Sequence, residues 1–208
     1  MFRVFANAWK TPDLRKKILF TIFVLVLYRL GSAIPVPYVN GAELADQMQA
    51  AEGTLLGYFN MLSGYAFSQG TLFALGVSPY ITASIVMQLL TIALPPLEKL
   101  SKQGDEGRKK ITAYTRWVTV GLALVTAYGY VNMLNMSGVL AIDDDVSDFF
   151  AWTVMIACFC AGAALIMWLA EKINEHGIGN GISMILFANI VSRVPSMAGT
   201  LLNYVMGK

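Results

Sequence analysis

Charge is scarce in this sequence. Only 13% of its 208 residues are Asp, Glu, Lys or Arg, against about 25% in soluble domains. With 56% apolar residues and a mean hydropathy of +0.58, that scarcity excludes a soluble globule and points to an integral membrane protein. There is one His, no glycine-rich phosphate loop, no HExxH and no Cys/His cluster, so no cofactor or metal is expected. Cys158 and Cys160 sit two apart inside an apolar run, on different helix faces; they read as small packing residues and report no redox compartment. Basic residues alternate with acids rather than with aromatics, which leaves no case for a nucleic-acid surface.

What the chain does have is long apolar runs. The run at 71–90 has 20 residues and no charge, enough to cross the ~30 Å hydrocarbon core as a helix. Gly76, Ser78, Thr82, Ser84 and Gln88 interrupt its aliphatics, so one face is expected to meet protein or water rather than lipid. Pro79 is expected to break the helix locally. Further spans are expected at 18–34, 111–134, 149–170 and 182–204, with the central run extended to 71–94. Residues 54–67, rich in Gly57, Asn60, Ser63 and Gly64, reach only ~21 Å as a helix. They suggest a re-entrant or interfacial segment; a fixed surface helix remains an alternative.

The basic residues set the sidedness. The amphipathic lead at 1–17 holds Arg3, Lys10, Arg15, Lys16 and Lys17, and the loop at 95–110 holds Lys99, Lys102, Arg108, Lys109 and Lys110. The loops at 35–53 and 135–148 have no Lys or Arg; the second is acidic, with Asp143, Asp144, Asp145 and Asp148. Basic loops stay inside, which puts the N-terminus and the 171–181 turn in the cytoplasm and the 205–208 tail outside. Thr11 and Pro12 predict a helix start. A cleaved signal peptide is not expected, since Arg29 lies inside the first run and Pro35 and Pro37 follow it. Arg29 itself is expected to snorkel to the nearer interface, with a buried pairing as the alternative.

The expected spans from the second to the fifth hold no acid, which disfavours ion-coupled transport and leaves a passive conduit or a scaffold. Ile81 and Ile85, four apart, share a helical face, and Leu186 and Ile190 repeat the pattern. Two such pairs suit a hydrophobic constriction, although aliphatic pairs at this spacing also serve ordinary packing.

The run TLFALGVSPYITASIVMQLL resembles the second-helix signature of the SecY family, the channel subunits of the Sec protein translocon. WLAEKINEHGIGNGISMIL, at 168–186, resembles that family's second signature across the fourth-to-fifth helix turn. QGDEGRKKITAYTR, at 103–116, and TPDLRKKILFT are similar to two more of its segments. The resemblance covers the whole chain but only the N-terminal half of the family's ten helices.

It implies an all-α integral membrane fold of five transmembrane helices plus a short plug helix, one half of an inverted repeat. In that reading Ile81, Ile85, Leu186 and Ile190 are this half's share of a pore ring. The plug at 54–67 includes Leu55, Leu56, Tyr58, Phe59, Asn60, Met61, Leu62, Tyr65 and Phe67. Thr82, Val86, Gln88, Leu89, Thr119 and Leu122 belong to the lateral-gate side. Lys102, Arg108, Lys109 and Lys110 are cytoplasmic loop contacts. The resemblance implies a protein-conducting channel of the bacterial cytoplasmic membrane, not an enzyme. The implied partners are SecE-like and SecG-like membrane subunits, a SecA-like motor ATPase or a ribosome, unfolded preproteins with signal sequences, membrane lipids, and a second half of the channel. One residue departs from the pattern: Asn189 stands where the family often has Gly, and is expected to bond a neighbouring helix. A small-solute channel built from paired five-helix units and an inactive or structural membrane subunit are the rival readings.

Overall fold

The computed structural model describes residues 11–50, 53–142, 146–192 and 199. The start of the basic lead, Asp143, Asp144 and Asp145, most of the fifth run after Ser192, and the tail lie outside the described residues. What is described is all-helical, with two isolated bridges, Pro35 to Thr71 and Val39 to Leu140, and no strand.

Helix α1 (Pro12–Gly31) begins with Thr11 at its N-cap and Pro12 in its first turn, where a missing N–H leaves nothing unpaired. Two short helices follow, α2 (Gly41–Ala50) and α3 (Leu55–Ser63). The central run then departs from a continuous 71–94 helix. Residues 71–77 form turns: Leu72 N–H donates to Ile34 O at 2.9 Å and Thr71 N–H to Ala66 O at 3.2 Å. Ala74 and Gly76 N–H bond back within the run, to Thr71 O and Phe73 O, so its backbone is satisfied partly by other segments and partly by its own turns. Helix α4 (Ser78–Ala93) starts only where Pro79 can occupy a first turn. Pro79 therefore opens a helix instead of breaking one. The turns pack closely on the neighbouring helix, since a Cβ at Gly162 would sit 1.9 Å from Leu72 O.

Leu94 leaves the helical conformation ahead of the Pro95-Pro96 pair, and α5 (Pro95–Ser101) turns away from α4 by 104°. The next helices overrun their expected spans. Helix α6 covers Asp105–Met136, with Asp105 and Glu106 at its positive N-terminal end. Helix α7 covers Asp148–His176, so Glu171 lies inside a helix and not in a turn. Each of these two holds an 18-residue stretch apolar enough to cross a membrane, with mean hydropathies of 1.4 and 2.2 over those stretches. In α1, charges at Asp13, Arg15, Lys16, Lys17 and Arg29 flank a shorter uncharged stretch. The turn before α8 (Gly181–Val191) shrinks to four residues. Asn180 caps α8 by accepting from Ile182 N–H at 3.0 Å, and Asn174 Oδ1 accepts from Gly181 N–H at 2.7 Å.

Two apolar cores run along the bundle. One gathers Val36, Leu44, Phe67, Tyr130, Leu134, Met155 and Phe159 near the end where α1 finishes. The other gathers Val24, Tyr28, Phe73, Val77, Ile166, Ile173 and Ile185. Helix α7 supplies both through one face, Ala151, Met155, Phe159, Ala163, Ile166, Ala170 and Ile173, at three- and four-residue intervals.

Candidate functional site

Helix α3 lends Leu56 to the margin of the first core, and its two ends differ. Leu55 is 79% exposed, Tyr58 63% and Phe59 46%, so one face of the N-terminal turns is open while Leu56 stays packed. Leu56, Met61 and Leu62 are half-buried, and Asn60, Ser63 and Phe67 are buried. The C-terminal end is tied down within the segment itself: Asn60 Oδ1 accepts from Ser68 N–H and Ser63 Oγ from Phe67 N–H, each at 3.1 Å. On the side of α6, Tyr130 donates to Phe67 O and their rings lie 4.7 Å apart. An apolar cleft of about 240 Å³ opens beneath, between Phe59, Ser78, Pro79 and Met133.

The opposite side of this end is polar. Asn189, fully buried on α8, donates from Nδ2 to Leu62 O at 2.8 Å and to Tyr28 Oη at 3.0 Å. Arg29 donates from Nη2 to Ala188 O at 2.9 Å and from Nη1 to Gly64 O at 3.5 Å. The snorkelling expectation for Arg29 is thus overturned. Its guanidinium finds main-chain carbonyls at the ends of two helices, where the aligned peptide dipoles present negative charge. The expected bond from Asn189 to a neighbouring helix is present.

The four aliphatics divide into two kinds. Ile81 and Leu186 pack at the margin of the same core, whereas Ile85 is 51% and Ile190 44% exposed. On α4, Thr82, Val86, Gln88 and Leu89 are exposed together. Thr119 does not join that open face. It is buried, bonded to Thr115 O at 2.7 Å, in a stripe with Thr115, Ala123 and Ala127, and Leu122 is half-buried. Lys102 pairs with Glu98 one turn back, and Arg108, Lys109 and Lys110 are exposed at the start of α6.

Two features went unseen in the sequence. Tyr28 lay in a run read only for hydropathy. The pair between Arg116 on α6 and Glu171 on α7 joins residues 55 apart, a separation that no local pattern spans.

The model of the SecY family matches residues 71–207. The translocase subunit SecY of Streptomyces coelicolor is 47% identical over 205 residues, aligned with 94% of this chain. The chain belongs to the SecY family. It spans about half the length of the curated relatives it matches, 47% in that case. Among solved structures, one described as a protein-conducting channel superposes with a TM-score of 0.60 at 24% identity, over 86% of this chain and 36% of that one. A second is described as a SecY whose plug domain stabilises the closed state of the channel and maintains a membrane seal. It gives a TM-score of 0.56 at 23% identity, over 93% and 38%. At such identities the likeness carries the fold alone, and that fold is the SecY channel fold.

Proposed function

We propose that this chain forms the N-terminal half of a protein-conducting channel in the bacterial cytoplasmic membrane, passing unfolded polypeptides across it and releasing apolar helices into it. The carrying observation is α3 within a SecY-family fold: a short helix whose C-terminal end is hydrogen-bonded to neighbouring helices while Leu55, Tyr58 and Phe59 near its start are exposed. In this reading α3 is the plug, and Ile81, Ile85, Leu186 and Ile190 are half of a pore ring. Five spans are proposed, with the N-terminus cytoplasmic. Compliant aliphatic side chains can close around varied extended peptides and, when nothing passes, exclude water and ions by dewetting.

The exposed face of α4, with Thr82, Val86, Gln88 and Leu89, is one side of a lateral gate. Its partner surface would come from the second half of the ten-helix fold. SecE-like and SecG-like subunits would brace the assembly, and a SecA-like motor or a ribosome would engage the loop carrying Lys102, Arg108, Lys109 and Lys110 and supply the energy. The chain is not proposed to be an enzyme.

Reconstitution of the chain with a complementary SecY half and a SecE-like subunit tests this reading. Deleting residues 55–67 should raise resting ion conductance. An assembled channel whose leak is indifferent to that deletion would remove the plug assignment. A channel equally indifferent to I85K and L186K would remove the ring as well, leaving a structural subunit.

A further inference from the structure

We infer that Arg29 and Asn189 are positioning residues that latch the C-terminal end of α3, holding a strained turn through its main-chain carbonyls. The inference rests on reading α3 as the plug, and adds which groups keep it seated.

The backbone at this end is unusual. Gly64 and Tyr65 follow one another in the left-handed region, at φ 64° and 73°. Gly adopts it freely, but a bulky side chain such as that of Tyr65 does so only when its surroundings hold it there. The turn also leaves carbonyls of the last helical residues without partners inside the helix. Leu62 O is met by the Asn189 amide and Gly64 O by the Arg29 guanidinium. Asn189 is in turn held by the Tyr28 hydroxyl, and Arg29 reaches Ala188 O, so both groups are braced on α1 and α8.

The space around Gly64 is tight. A Cβ at Gly64 would lie 2.9 Å from Asn189 Oδ1 and 3.2 Å from Arg29 Nη1. Asn189 Oδ1 is itself buried with no hydrogen-bond partner among the described residues, so the amide is set by what its nitrogen donates to. The grip is confined to backbone oxygens at one end. Leu55, Tyr58 and Phe59 at the other end are exposed. Such a helix pivots about its latched end, and once the latch opens the strained turn favours departure over return.

Hydrogen exchange of the purified chain in lipid nanodiscs, together with any membrane subunits that co-purify, tests this. In N189A the amides of residues 62–70 should exchange at least tenfold faster than in the parent, while those in the middle of α6 and α7 keep their rates. R29K keeps the charge but loses the fork that spans two carbonyls, and should give a smaller increase of about threefold in the same segment. N189Q, which keeps the amide, should recover part of the protection that N189A loses. Unchanged rates at 62–70 in both N189A and R29K would overturn the latch. So would loss of protection spread equally through α6 and α7, which would mean general packing. The plug assignment is read separately, from ion leak on deleting 55–67, so either idea can fail without the other.

Discussion

Arg116 and Glu171 join α6 to α7 through two contacts: Nε donates to Oε1 at 2.9 Å, and Nη2 meets Oε2 at 2.7 Å. The two partners are unequally exposed, the arginine side chain at 50% and the carboxylate at 11%. Removing the arginine leaves a buried carboxylate uncompensated, a change that costs about 3 kcal/mol or more. Removing the carboxylate leaves an arginine that solvent can still reach, nearer the ~1 kcal/mol of an exposed pair. R116A should therefore lower the melting temperature in detergent clearly more than E171A. Equal losses would mean that Glu171 is better hydrated than its surroundings imply.

Gly64 and Gly53 separate two reasons for needing glycine. Both hold positive φ, 64° and 94°, but a Cβ at Gly53 meets nothing within 4 Å among the described residues, whereas one at Gly64 runs into Asn189 and Arg29. Left-handed strain alone is worth about 1–2 kcal/mol. G53A should cost that much, and G64A more, with loosening concentrated at residues 62–70. Comparative thermal melts with exchange on the same samples would show it. If G64A is no worse than G53A, the crowding at the end of α3 is softer than its distances indicate.

Gly162 and Gly129 make a second comparison, this time within helices. A Cβ at Gly162 would stand 1.9 Å from Leu72 O, a main-chain atom that cannot swing away, while at Gly129 it would meet nothing within 4 Å. G162A should sharply reduce the yield of folded protein. G129A should be neutral or stabilising by about 0.4–1 kcal/mol, because alanine narrows the unfolded ensemble. Size-exclusion profiles and melting temperatures of the two variants are the readout.

These pairs show where the sequence was readable. Charge-poor runs announced α6 and α7 because hydropathy is a local property, and Thr11 with Pro12 announced the start of α1 because capping is local too. Asn189 stood out as a departure from the family pattern, and a polar amide in an apolar span needs a partner. The turns at 71–77 were not legible, because the bonds that anchor their start go to Ile34 and Ala66, outside the apolar run itself. Nor were the destinations of Arg29 and Arg116. Insertion cost says that a charge in a span wants a partner, but the carbonyls of Gly64 and Ala188, or a carboxylate 55 residues away, become candidates only once helices are packed.

Ile85 and Met87 test the pore ring without confusing it with folding. Two residues apart on α4, they face different surroundings: Ile85 is 51% exposed and Met87 is 5% exposed. Lysine at Met87 must bury an ammonium or displace its neighbours, so M87K should fail to accumulate as folded protein. At Ile85 the ammonium can reach the open side of the helix, and I85K should fold with a melting temperature close to the parent's. If that open side lines a water-excluding constriction, a charge there hydrates it and removes the dewetting barrier. I85K in the reconstituted channel should then raise resting conductance severalfold, as deletion of residues 55–67 should. An I85K channel that folds, assembles and conducts no more than the parent would place Ile85 against lipid or a neighbouring subunit, and the ring would have to be sought on another face.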